Sequence, residues 1–212
     1  MAKRNAKAGN PQTTLFRQVF NRKRKVWFGT LTADGWFSAA PDDTDVNRAI
    51  RTNNPGALNI SAWQRLRAGY IGQTSPDSAG NITTIYKTPE HGIAAWYFLL
   101  FDRYGFGRVG HFDLVSLAQK YAGTGATPTE VKAYTDGWAK WSGGTLQPNT
   151  IIHFSSDNEL LALAKAEFAH EAAAISPLGD DQIIAGFALE RPPHSLPRDN
   201  ATDKAIEPEA LA

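Results

Sequence analysis

Apolar residues recur at helical spacing over most of the chain, and several segments join that period to a start signal. In TPEHGIAAWYFLLFDRYG, Thr88 and Pro89 supply an N-cap and a first helical residue. Ile93, Tyr97, Leu100 and Tyr104 then follow at intervals of four, three and four, which predicts one buried stripe ending at Gly105. A second helix is expected over Asp113 to Ala122, with Leu114, Leu117, Ala118 and Tyr121 facing inward. The capping box Thr127-Pro128-Thr129-Glu130 opens a third, burying Val131, Tyr134, Trp138 and Trp141 before SGG stops it. Ser156-Asp157-Asn158-Glu159 opens a fourth through LLALAKAEFAHEAA, and a short helix DDQIIAGFAL follows the Pro177-Leu178-Gly179 turn.

The period of two is weaker. VWFGTLTADGWFSAA sets Asp34-Gly35 between aromatic runs, which predicts a hairpin with Trp27 and Trp36 toward a core. Between Leu58 and Tyr86, β-branched and aromatic residues are broken by Gly69, Gly72, Pro76 and Gly80, as in a small irregular hairpin region. These patterns predict a mainly α (α+β) domain over residues 47–189, with a small β-hairpin region and a hairpin and linker before it at residues 26–46.

Composition adds boundaries. A chain of 212 residues suits one domain with tails. A net charge of +1 argues against wholesale nucleic-acid binding, yet the first 25 residues carry eight lysines and arginines and no acid. Residues 1–25 therefore read as a basic arm, either solvated or a contact for nucleic acid, an anionic surface or a partner protein. Residues 190–212, through RPPHSLPRDNATDKAIEPEALA, are rich in proline and charge without period and read as a disordered tail. MAKRNAK leads into polar residues and no run of about 18 apolar residues follows, so a cytoplasmic product without signal peptide or membrane span is expected. Any work beyond the cytoplasm would need another delivery route.

With no cysteine, neither a thiol nucleophile nor a thiolate metal site is available. The five histidines lack metal-ligand spacing, so no metal or cofactor is expected, and GFGRVG follows a helix where a phosphate loop would follow a strand. Among carboxylates, Glu171 falls within roughly 20° of Leu160 and Ala164 on a helical wheel, near the middle of the apolar face. Glu167 falls at that face's edge. A carboxyl withdrawn from water has a raised pKa, which suits a general acid. His170 points to the side, as a surface histidine would. Glu90, in a first helical turn, is suited by the helix dipole and also heads the stripe through Ile93. Trp96, Trp138 and Trp141 read as core, which leaves Trp63 and Tyr86 as groove candidates. Arg51 to Ile60, RTNNPGALNI, sets Asn53 and Asn54 ahead of a turn in which Pro55 bars helix from its predecessor and Gly56 can take positive φ.

Taken in order, RAIRTNNPGALNI, Trp63, YKTPEHGIAAWYFLL, LLALAKAEFAHEAA and SPLGDDQIIAGFAL resemble a phage and prophage virion-protein family. That family reads R-G-I-R-N-N-N-P-G-N-I, then F-x-T-P-E-x-G-I-R-A, then H-E-N-G, and is related to the lysozyme-like peptidoglycan hydrolases. The resemblance covers residues 47 to 189. It implies a lysozyme-like helical domain that grips glycan strands, with Glu171 or Glu90 as the acid. Asn53 and Asn54 would hold N-acetyl groups or water, with Arg51 and His170 also at the groove. It also implies a muramidase or lytic transglycosylase activity, or a virion or secretion-apparatus component that keeps the fold without the chemistry. Here Arg48-Ala49-Ile50-Arg51 replaces R-G-I-R, Thr52 stands at the first asparagine, and Ala172-Ala173 replaces the late Asn-Gly.

Overall fold

The computed structural model describes residues 47–173 and 178–191. The basic arm, the Asp34-Gly35 hairpin, Pro177 and all but the first two residues of the tail segment lie outside the described residues. The fold mixes helix and sheet, with helices predominating.

A short helix α1 (Arg48–Arg51) is capped by Asn47, whose side chain accepts from Ala49 N. After a 3-10 turn (Gln64–Leu66), strands β1 (Tyr70–Gln73) and β2 (Thr84–Tyr86) pair antiparallel. Their register is irregular between Tyr70 and Gly72, so this is the expected irregular hairpin. Asp77 ties its loop, accepting from Asn81 N and Ala79 N and pairing with Arg48 at 2.7 Å.

The centre is α2 (Pro89–Phe98). Gly92 through Tyr97 are all buried, so the expected single stripe is in fact a helix covered on nearly every side. It continues as a π-helical turn (Leu99–Arg103) up to Gly105, the expected stop, where φ is +77°. A one-turn helix α3 (Phe106–Val109) and strand β3 (His111–Asp113) come next, and β3 pairs with β4 (Ile151–His153). That second sheet has no counterpart in the hydropathy pattern.

Helices α4 (Leu114–Ala122), α5 (Pro128–Trp141), α6 (Asp157–Ala172) and α7 (Asp180–Glu190) match the expected segments. The Thr127–Glu130 capping box is complete. At α6 only half of one forms: Ser156 accepts from Glu159 N, while the Glu159 carboxylate turns back to His153 N and Nδ1. Helix α7 lies along α2 so closely that a Cβ on Gly186 would stand 2.5 Å from Ile93 Cβ. Glu190 and Arg191, assigned to the tail from sequence, belong to this folded body. Glu190 pairs with Arg67 at 3.0 Å, and Arg191 pairs with Asp157 and lies over the Tyr97 and Phe187 rings. Among the described residues, no helix is long and apolar enough to cross a membrane.

Candidate functional site

The NNPG stretch is built around backbone hydrogen bonds. Asn54 is fully buried, donating from Nδ2 to the carbonyls of Leu58 and Thr84 and accepting at Oδ1 from Leu58 N. Asn53, at φ +52°, donates to the carbonyls of Tyr86 and Lys87. Both amides therefore hold the chain segment to the first hairpin. The positive-φ residues here are Asn53 and Ala57, not Gly56. Gly56 is needed for another reason: a Cβ would stand 2.5 Å from Trp96 Cδ1.

The residues just after this turn do reach a cleft. Gly56, Ala57 and Leu58 form one side of a cavity of about 280 Å³, extended by Asn59, Ser61, Trp63 and Gln64. Leu99, Tyr104, Tyr121, Tyr134 and Glu171 form the other side. Trp63 leans on Phe98 with ring centroids 5.5 Å apart. The aromatic wall comes from four elements: the segment before the 3-10 turn, the C-terminal end of the π-helical turn, α4 and α5.

Glu171 is the carboxyl in this wall. Burial raises its pKa to about 7, against an opposing pull from the Arg48 guanidinium. Helix α1 is docked beside it, since Asn47 Nδ2 donates to the Glu171 carbonyl at 3.1 Å. One turn earlier on α6, Glu167 is fully buried, deeper than the edge position expected from the wheel. Its Oε2 accepts the Trp138 indole N–H at 2.5 Å. Burial, then the charge of Glu171, push the Glu167 pKa well above the carboxylate range, while Trp138 and Tyr121 act in the other direction. Burial likewise raises the phenols of Tyr121, Tyr134 and Tyr104, the last to about 12.

The other candidates stand elsewhere. Glu90 accepts from Gln182 Nε2 at 2.7 Å on the α2–α7 side and does not line the cleft. Tyr86, expected at a groove, is fully buried because its strand is covered. His170 is half-buried against α5, its ring 5.5 Å from that of Tyr134, and burial lowers its pKa. It packs so close that a Cβ on Gly137 would stand 2.3 Å from its Nδ1. Arg51 is half-buried at the end of α1, also off the cleft. Of the expected site residues, the structure brings Glu171 and Trp63 to one cleft.

Tyr104, Tyr121, Tyr134 and Gln64 were not singled out as site residues from sequence. The signal available was a tyrosine on the inward stripe of each of three segments, where a polar tip asks for water or a partner. Among the described residues no group of three or more histidine, aspartate or glutamate side chains is arranged to hold a metal ion. No protein-family model matches the chain, and no curated protein sequence matches it.

Proposed function

We propose that this chain cleaves peptidoglycan glycan strands, as a lytic transglycosylase or muramidase in a phage-related, virion-associated setting, on a lysozyme-like fold. The observation that carries the reading is Glu171. It is a carboxyl in the wall of an aromatic cleft, with a pKa raised to about 7 by burial. A general acid must hold its proton at working pH and still release it, which this position favours. Trp63 and Tyr104 offer ring faces to sugars, and Asn59 and Gln64 offer polar groups.

In the reaction, Glu171 gives its proton to the glycosidic oxygen as the bond from that oxygen to the anomeric carbon breaks, the electron pair leaving with the oxygen. The anomeric carbon is captured by a hydroxyl of the same glycan or by water, and the Glu171 carboxylate recovers a proton from that nucleophile. Glu167 is sealed below the wall and cannot serve a water molecule in the cleft. One reachable carboxyl suits capture assisted by the sugar itself better than hydrolysis by paired carboxylates.

Muropeptide release from purified sacculi, followed over roughly pH 4–8 to bracket a raised carboxyl, tests this. Wild type and Glu90→Gln are expected to release products, and Glu171→Gln to lose at least about a hundredfold in rate. No release by wild type, or full release by Glu171→Gln, would sink it. The second reading is a virion or secretion-apparatus component without activity. It is favoured by Ala172-Ala173, which stand where the resembling family carries Asn-Gly. Sacculus binding without product release would select it. In either setting the basic arm is a candidate contact for nucleic acid, tested by salt-sensitive DNA retention that deletion of residues 1–25 abolishes.

A further inference from the structure

Gln64, the first residue of the 3-10 turn, carries an amide of which one half is occupied and the other is not. The residue is only 1% exposed. Its Oε1 accepts from Ser61 N at 2.8 Å and from Thr84 Oγ1 at 2.7 Å. Its Nε2 has no hydrogen-bond partner among the described residues, yet it is not sealed in as Ser61 Oγ and Tyr121 Oη are. The exposed remnant of the side chain therefore lies at this nitrogen, and the surface that Gln64 reaches is the cleft.

Donor chemistry fixes which end of the amide faces the cleft. A backbone N–H can only donate, so the atom that meets Ser61 N is the oxygen, and the amide cannot be turned over. The anchors are themselves held. Gln64 N donates back to Ser61 O at 3.2 Å, and Thr84 is fully buried on β2 with its carbonyl taken by Asn54 Nδ2 at 3.0 Å. The rotamer freedom of this glutamine is thus lost in folding and not in holding a ligand. Its surroundings decide what the donor selects. Among the described residues no lysine or arginine lines the cleft, whereas the Glu171 carboxyl does. An anionic acceptor meets no counter-charge there, and a neutral carbonyl oxygen is the acceptor that fits. Trp63, the preceding residue, sets its indole in the same wall against Phe98, a face on which the methyl of an acetamido group can lie.

We propose that Gln64 is the specificity residue of this cleft, its fixed Nε2 donating to the carbonyl oxygen of a secondary amide on the ligand. Resting on the glycan reading, that amide is the acetamido group of an N-acetylated sugar, so the cleft takes such sugars ahead of those with a hydroxyl at the same carbon. A stem-peptide amide offers the same chemistry from another source, and the experiment separates the two.

The full chain, as wild type and Gln64→Glu, is titrated by calorimetry at about pH 8 with three probes. These are tri-N-acetylchitotriose, cellotriose, which has hydroxyls in place of the acetamido groups, and the stem tripeptide L-Ala-γ-D-Glu-L-Lys. Glutamate keeps an oxygen for Ser61 N and Thr84 Oγ1, and those two donors hold it ionised. The variant therefore exchanges the cleft donor for an acceptor and leaves the anchor in place. Wild type is expected to bind chitotriose about tenfold more tightly than cellotriose, as for one hydrogen bond. In Gln64→Glu that gap should close through weaker chitotriose binding, with cellotriose held within about twofold. A gap that survives in the variant, an equal fall for both sugars, or no gap in wild type would each overturn the proposal. If Gln64→Glu fails to fold, the side-chain amide resonances of Gln64 in wild type decide by NMR. They should move downfield with chitotriose, and resonances that stay in place overturn the proposal. Binding of the tripeptide alone, weakened in Gln64→Glu, upholds the donor and rejects the glycan reading. Binding of none of the three rejects both.

Discussion

The indole Nε1 of Trp138 donates to Glu167 Oε2 at 2.5 Å, joining α5 to α6 through two fully buried side chains. Removing the donor alone leaves a buried carboxyl with both oxygens unmet, whereas removing both members leaves a hydrophobic contact. Trp138→Phe is therefore expected to cost about 1–3 kcal/mol in urea unfolding, with Glu167→Leu added to it recovering part of the loss. A double variant weaker by the sum of the two singles would contradict this coupling.

The same carboxyls set a pH dependence. Glu167 and Glu171 have folded pKa values above their unfolded value of 4.5, so the folded state holds extra protons. Their effect is to make stability fall as pH rises, for Glu171 between 4.5 and about 7. Because Glu171 is only partly enclosed, its share is about 2 kcal/mol after discounting for solvent screening. Asp77, Asp113, Glu130 and Glu159 are shifted down and act oppositely, their stabilisation being lost as pH falls through their folded values. Thermal melts should accordingly peak near about pH 5 and drop toward pH 8, with a smaller drop in Glu167→Gln. A wild-type melting temperature as high at pH 8 as at pH 5 would rule this out.

Much of the helical frame was legible because its signals are local. Thr127 with Glu130, and Pro89 after Thr88, mark helix starts within a few residues. The β3–β4 ladder was not, since His111 and His153 pair across strands of three residues that carry no period and lie far apart in the chain. A helical wheel orders Glu167 and Glu171 on one helix, but the depth of Glu167 depends on Trp138 arriving from another. Tyr86 misled because a short strand gives no hint of which of its faces is covered, and both Asn53 and Asn54 turned out to hold backbone carbonyls.

Two glycines are required by close approach. A Cβ on Gly92 would lie 2.0 Å from the Asn53 carbonyl oxygen, and one on Gly56 would lie 2.5 Å from Trp96 Cδ1. The first collision is with backbone and the second with a fully buried ring, so neither neighbour can swing aside. Gly92→Ala should cost at least about 3 kcal/mol and Gly56→Ala about 1–3 kcal/mol, by displacing the segment that forms one side of the cleft. Calorimetric melts that match wild type for both would show that the segment has slack.

At the end of α6 the reverse substitution should help. Ala173 caps the helix at φ +51°, ψ +29°, in the left-handed region where a Cβ crowds the following carbonyl. Its N–H still donates to the carbonyls of Ala169 and His170, so the turn is held despite that crowding. Glycine relieves it while keeping both hydrogen bonds, though it also adds freedom to the unfolded chain. In this region the relief outweighs the added freedom, and Ala173→Gly is expected to stabilise by about 0.5–1 kcal/mol. Ala173 is exposed and two residues beyond Glu171, so the cleft itself should be unmoved. A melting temperature below wild type would mean that the left-handed cap is not what ends the helix in solution.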